Sequence, residues 1–250
     1  MDLNELARVA TLAGEILLEN GAETYRVEET MNYICKQYGA CVVDSFATPT
    51  VLIVSFSYGE QMAHNIKRTK IKSVNLERID KINDLSRNIK NRNISVEDLK
   101  RQLLAIRHEP RYSEGLTWLF SGICTFGFGS FFNGTLKDVL AAFAVGLLLR
   151  VIVHQMEKAR IHSFFSNFIG GASTTLISFC FMKLNLLDHI DTVIISVLML
   201  LVPGLAITNA IRDSVSGDLL SGISRCTEAF LVAIAIAMGS GAVFMMVGGI

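Results

Sequence analysis

The chain of 250 residues lacks the signatures of several large functional classes. Its 23 basic and 23 acidic residues cancel, so the basic excess expected of a nucleic-acid binder is missing. Five cysteines (Cys35, Cys41, Cys124, Cys180 and Cys226) form an odd set without a CxxC pair, which argues against a disulfide framework or a zinc ribbon. The five histidines are scattered, with no HExxH spacing. No GxxxxGK[ST] loop is present, which argues against ATP-driven work by this chain. No GxSxG motif or Ser/His/Asp arrangement suggests a hydrolase. Neither an enzyme nor a metal or cofactor site is therefore expected. The first 20 residues, MDLNELARVATLAGEILLEN, have scattered acids and no long apolar core, unlike a signal peptide.

What the chain has is hydrophobicity, at 51% of residues, distributed unevenly. Residues 1–115 hold 16 Lys/Arg and 16 Asp/Glu, whereas 116–250 hold 7 and 7. Fifteen of the 19 glycines lie from residue 113 onward. The expected fold is an α-helical integral membrane protein: a small α+β cytoplasmic domain over 1–112, then five transmembrane helices over 113–250.

In the first part, Leu6, Ala10, Ala13 and Leu17 define one face of a helix over 3–19, stopped by Asn20-Gly21. A second helix runs from about 22 to 38. Residues 41–47 and 50–58, rich in Val, Ile, Phe and Thr, read as a hairpin, with VLIVSFSY central in its sheet. A third strand is expected over 64–74. Its Lys67, Arg68, Lys70 and Lys72 are best read as protection of an exposed edge. Helices follow at about 76–91 and 96–107, the second capped by Ser95 with Asp98 three residues on.

Five apolar segments come next, at about 115–132, 136–153, 161–182, 192–208 and 226–248. Some are short for full spans, so tilt or re-entrance is allowed for. Arg150, Lys158 and Arg160 flank the second connection, and Arg212 and Arg225 lie in the fourth. The first and third carry one lysine each, Lys137 and Lys183. The excess places the even connections and the N-terminal domain in the cytoplasm and the C-terminus outside. Ala229, Ala233, Ala237 and Gly241 make a small-residue ladder suited to close helix contact, and Ala142/Gly146 a shorter one. Asp138 and Asp191 read as solvated span ends.

Chemistry concentrates in residues 201–225, LVPGLAITNAIRDSVSGDLLSGISR. Pro203-Gly204 should break the fourth span. Freed backbone groups at such a break are suited to an ionic substrate. Asn209 offers donor and acceptor, Arg212 can clamp a carboxylate with two parallel hydrogen bonds, and Asp213 or Asp218 can serve a cation or a coupling proton. The stripe Ile211, Val215, Leu219 and Ile223 suggests an amphipathic helix or re-entrant segment, on which Asp218 and Arg225 could share a face. Glu228, at the start of the last span, is a relay candidate. The structural alternative is that Arg212, Asp213, Asp218 and Arg225 pair with one another to hold the loop. On the second helix, Glu23, Arg26 and Glu29 read as an exposed ion-pair ladder.

Two stretches, GAETYRVEETM (21–31) and VPGLAITNAIRDSVSGDLLSGISR (202–225), together with a cytoplasmic domain before five spans, resemble the threonine/serine exporter family. The family pattern falls on Gly21, Arg26 and Glu28, and on Pro203, Gly204, Asn209, Arg212, Asp213, Gly217, Asp218, Gly222 and Arg225. The resemblance implies the five-span half of a secondary transporter, driven by the proton gradient. It would export threonine, serine or a dicarboxylate such as succinate, and work with a second small membrane subunit or with copies of itself. Arg26 and Glu28 are expected to dock the soluble domain. Substrate and lipid are the other expected partners, nucleic acid is not. A membrane-anchored sensor, its soluble domain binding a ligand or partner, is the rival reading, though a Pro-Gly break and polar, Gly-rich spans exceed what an anchor needs.

Overall fold

A computed structural model describes residues 2–70, 74–110 and 112–247. It is predominantly helical with one small sheet. The chain divides into two compact units: residues 1–110 with 205–227, and 111–204 with 228–250.

The first unit is organised around α1 (Leu3–Glu19), which is buried on nearly every side, from Leu6, Ala7, Val9 and Ala10 to Ile16, Leu17 and Leu18. Helix α1 is packed against by α2 (Thr24–Gln37), β2 (Val51–Tyr58), β3 (Gln61–Arg68), α3 (Leu76–Arg87) and α4 (Val96–His108), and its buried carboxylates Glu15 and Glu19 pair with Arg107 of α4. Gly14 makes room for Met31, whose sulfur a Cβ there would crowd. The antiparallel sheet has the order β1-β2-β3, with β1 at Val43–Ala47. VLIVSFSY is thus central, and it alternates, burying Leu52, Val54 and Phe56. The third strand starts three residues earlier than its apolar pattern suggested; of the basic run, Lys72 lies outside the described residues. Ser95 caps α4 by accepting the Asp98 N–H at 3.1 Å.

Residues 205–227 complete this unit as a helical corner, and the apolar stripe expected of an amphipathic helix or re-entrant segment is split between two helices. Helix α9 (Gly204–Val215) stops because Gly217 adopts φ +96°, a left-handed conformation favourable to glycine. Gly217 N–H donates to Ser214 O and Asp218 N–H to Asp213 O, the hydrogen-bond pair of a Schellman stop. Helix α10 (Leu219–Val247) then begins and continues into the second unit. Ile211, Val215, Leu219 and Ile223 are all exposed. Gly222 is required where the two helices cross, since a Cβ there would overlap the Ser214 hydroxyl.

The second unit holds α5 (Glu114–Phe131), α6 (Leu136–Lys158), α7 (Ser163–Lys183), α8 (Ile190–Leu198) and the remainder of α10. Among the described residues, α7 and α10 are the two helices long and apolar enough to cross a membrane. The fourth apolar segment is interrupted at 199–203. Nine residues of α8 rise only about 14 Å, roughly half a hydrocarbon core. Gly146 faces Thr125 of α5, so the Ala142/Gly146 pair serves packing inside the bundle. On α10 the face against α7 is Ile236, Gly239 and Ser240, with Ser240 hydrogen-bonded to Thr175 at 2.6 Å. The ladder differs: Ala229 is buried, Ala233 and Ala237 are exposed, and Gly241 has open space before it.

Asp138 corrects a sequence expectation. It is fully buried, not solvated. It closes a capping box with Thr135 and accepts the N–H groups of Asp188 and His189 at 2.7 and 2.8 Å and His189 Nδ1 at 2.9 Å. A carboxylate with this many donors is satisfied without water. Its position at a span end gave no hint of the loop at 188–189 that supplies them.

Candidate functional site

The α1–α2 connection carries the site. Helix α1 ends at Gly21, φ +89°, with Gly21 N–H donating to Leu18 O and Ala22 N–H to Leu17 O. This stop turns the next carbonyls away from the helix, where each needs a partner. The N-cap of α2 is Glu23, whose side chain makes no capping bond, so the first amides of α2 also need an acceptor.

Four side chains from the α9–α10 corner meet these needs, one for each residue of Gly-Ala-Glu-Thr. Asn209 Nδ2 donates to Gly21 O at 2.8 Å. Arg225 Nη2 donates to Ala22 O at 2.8 Å. Arg212 Nη1 donates to Glu23 Oε1 at 2.5 Å. Asp213 accepts the Thr24 N–H at 3.0 Å and the Thr24 hydroxyl at 3.1 Å, capping α2 from 189 residues away. Asp213 also forms an ion pair with Arg225 Nε at 3.0 Å, with side chains 0% and 4% exposed. At such burial a charge persists only when paired and hydrogen-bonded.

Glu23 lies between two cations, Arg212 at 2.5 Å and Arg26 at 3.4 Å. Burial works against its charge, but its backbone hydrogen bond, the Arg212 hydrogen bond and the two guanidinium charges together hold its carboxyl below the ordinary value. The expected Glu23–Arg26–Glu29 ladder thus has another composition: Glu23 is shared by Arg26 and Arg212, and Glu29 faces Arg87 at 3.8 Å. Arg26 is half-exposed and also reaches the Tyr25 hydroxyl at 3.2 Å.

Glu28, one turn along α2, accepts the Ala47 N–H at 2.7 Å. Burial raises its carboxyl pKa, and the charges of Asp218 and Asp213 add to the rise. Asp218, at the start of α10, is raised by burial and by Asp213. Three carboxylates, Glu28, Asp213 and Asp218, therefore share one electrostatic neighbourhood, in which Arg225 pairs directly with Asp213.

The structure brings Asn209, Arg212, Asp213, Asp218, Arg225, Arg26 and Glu28 into the first unit. Pro203, Gly204 and Glu228 belong to the second. Sequence reasoning missed Glu23 and Thr24 as partners of Arg212 and Asp213. A usable signal existed: glutamate is a poor N-cap, so α2 required an acceptor from elsewhere.

The two motifs that meet here are those of a known family. The family described as "Putative threonine/serine exporter" matches residues 8–247. The chain belongs to the threonine/serine exporter family. Two curated relatives agree with it over most of their length. Each is described as a probable succinate transporter subunit, YjjP. That of Klebsiella aerogenes is 21% identical over 224 residues, 89% of this chain and 86% of the relative. That of Escherichia coli K12 is 20% identical over 235 residues, 94% and 91%. No solved structure matches. Membership in this family makes the chain a membrane transport protein. Its glycines at 21, 217 and 222 now have geometric reasons: two helix stops and one helix crossing.

Proposed function

We propose that this chain is one subunit of a secondary exporter for a small carboxylate-bearing metabolite: threonine, serine or a dicarboxylate such as succinate. The observation that carries the reading is the meeting of the two family motifs, with Asp213 capping α2 from 189 residues along the chain. In this reading Asn209, Arg212, Asp213 and Arg225 hold the α1–α2 turn as a latch. Arg26 steadies Glu23. Pro203-Gly204 supplies the break that lines the transport path, as irregular backbone does in other transporters. Glu28 and Asp218 are the proton-coupling groups, because partial burial beside Asp213 favours their neutral forms. Curated relatives described as subunits support a second membrane subunit, and the exposed Ala233 and Ala237 offer it a small-residue face.

The pH signs differ between the groups. Glu23, lowered from 4.5, stabilises the latch above that value, and the contribution is lost as pH falls through its folded pKa. Glu28 and Asp218, raised from 4.5 and 3.8, contribute fully below those values and lose the contribution as pH rises through their folded pKa values. Efflux of labelled threonine, serine and succinate from proteoliposomes under an imposed pH gradient tests the reading, with and without the partner subunit. Asp218→Asn and Glu28→Gln are expected to export with a flattened pH dependence and at least roughly a tenfold lower gradient-driven rate, the scale of lost proton transfer. Wild-type rates and pH profiles in both would remove them from coupling.

The topology proposed is five spans with the N-terminus cytoplasmic and the C-terminus outside. Residue pairs 171/236 and 175/240 meet across α7 and α10, so these helices run parallel, as third and fifth spans must. A cysteine placed at Lys158 in a chain cleared of its own accessible cysteines should label from the cytoplasmic side. Labelling from outside alone would reverse the orientation.

A further inference from the structure

Within the second unit, a cavity of 590 Å³ is lined by His162, Ser163, Phe164 and Phe165 of the α7 N-terminus and by Glu228, Leu231 and Val232 of α10. Glu228, Leu231 and Val232 are spaced i, i+3, i+4 and share one helix face. Because α7 and α10 run parallel, the polar members, His162, Ser163 and Glu228, come first along both helices, and the apolar members follow.

The polar end carries both signs. Glu228 is exposed and has no hydrogen-bond or ion-pair partner among the described residues. On α7, Phe164 N–H donates to His162 Nδ1 at 3.3 Å. A neutral ring accepting at Nδ1 carries its proton on Nε2, which leaves a donor available. The α7 N-terminus adds partial positive charge. Beyond this end the walls are hydrocarbon, and Phe165 and Leu231 are 59% and 49% exposed.

We propose that this cavity binds a zwitterionic phospholipid with a primary ammonium headgroup, one acyl chain lying along Phe165, Leu231 and Val232. Glu228 receives the ammonium. His162 Nε2–H and the α7 N-terminus face the phosphate. A primary ammonium donates hydrogen bonds to a carboxylate, which a quaternary headgroup cannot do. An anionic headgroup without an amine would leave Glu228 unmatched. A hydrophilic metabolite would leave the exposed apolar walls without a partner, whereas an acyl chain fills them. The proposal rests on the chain's place in a membrane and on the depth at which the topology above puts the α7 N-terminus. It does not rest on the exported substrate.

Native mass spectrometry of the purified full chain tests it, with phosphatidylethanolamine, phosphatidylcholine and phosphatidylglycerol of the same acyl chains added in turn. Retention of phosphatidylethanolamine is expected to exceed that of phosphatidylcholine by about tenfold, the scale of one charge-assisted hydrogen bond. Glu228→Gln should bring the two within about twofold at unchanged helical circular dichroism. Leu231→Trp, which fills the apolar wall, should lower retention of both. Equal retention by the wild type, or a preference that survives Glu228→Gln, overturns the proposal. So does displacement of the lipid by millimolar threonine, which would make the cavity a metabolite site, or its loss on dimerisation, which would make it an interface between copies. The readout is binding, so a failed export assay leaves it standing, and a failed binding assay leaves the exporter reading untouched.

Discussion

Replacing Asp213 with alanine is expected to cost about 3–5 kcal/mol, the scale of breaking a buried ion pair by removing one partner. Arg225, its side chain 4% exposed, would lose the Asp213 carboxylate. The Thr24 N–H and hydroxyl would lose their acceptor together. The local signature is specific. Hydrogen exchange at the first amides of α2 should accelerate by about 100-fold or more, since every 1.4 kcal/mol is a factor of ten, and β2, which exchanges through global unfolding, should accelerate by no more than that. Asp213→Asn keeps an oxygen for the Thr24 N–H, and paired with Arg225→Met it removes both charges. That double variant should recover part of the loss, because both buried charges leave together, while the Ala22 carbonyl loses its Arg225 donor. A cost for Asp213→Ala below about 1 kcal/mol, the range of surface pairs, would show that the cluster is solvated. The same variant should abolish export if the latch belongs to the transport cycle.

Gly239→Leu is expected to have an equally large effect in the second unit. A Cβ at Gly239 would overlap the carbonyl oxygen of Phe168, and a Cβ at Gly171 would overlap that of Ile236. Both obstacles are backbone, which cannot rotate aside as a side chain can. Overpacking a core costs about 1–3 kcal/mol when side chains can yield, so the cost here should lie at or above that range. Separation of α7 and α10 should appear as loss of monodisperse protein on gel filtration. Gly241→Leu is the matched control, since nothing lies within 4 Å of a Cβ there. Equal behaviour of the two variants would mean that α7 and α10 do not pack through Gly239.

The ladder on α10 shows why one pattern was legible and its meaning was not. A four-residue repeat puts Ala229, Ala233, Ala237 and Gly241 on one face, because helical geometry alone dictates which residues share a side. It does not say which side meets a neighbour. Helix α7 chose the face of Ile236, Gly239 and Ser240, through contacts about 65 residues apart in sequence. Likewise Gly217 was visible as a glycine, but the apolar spacing continued across it from Val215 to Leu219, and period alone extended one helix through the turn. Asp138 is a third case: charge at a span end reads as solvated until a loop from residue 188 arrives with donors.

The sequence by itself determined the elements and the membership. Hydrophobic period, the Asn20-Gly21 stop and the Ser95 cap located α1 to α4, the three strands and the five apolar segments, because these signals act within a few residues and depend on backbone geometry. The two motifs marked the family for the same reason, as local strings. Tertiary structure alone decided what those strings are for one another. Asn209, Arg212, Asp213 and Arg225 are polar residues able to hold a ligand, a proton or a neighbour, and nothing within their own segment distinguishes these roles. Only folding brings the unsatisfied carbonyls and amides of residues 21–24 to them. The partner of each side chain is then set by which backbone groups the α1–α2 stop leaves unpaired, a requirement that arises about 190 residues earlier in the chain.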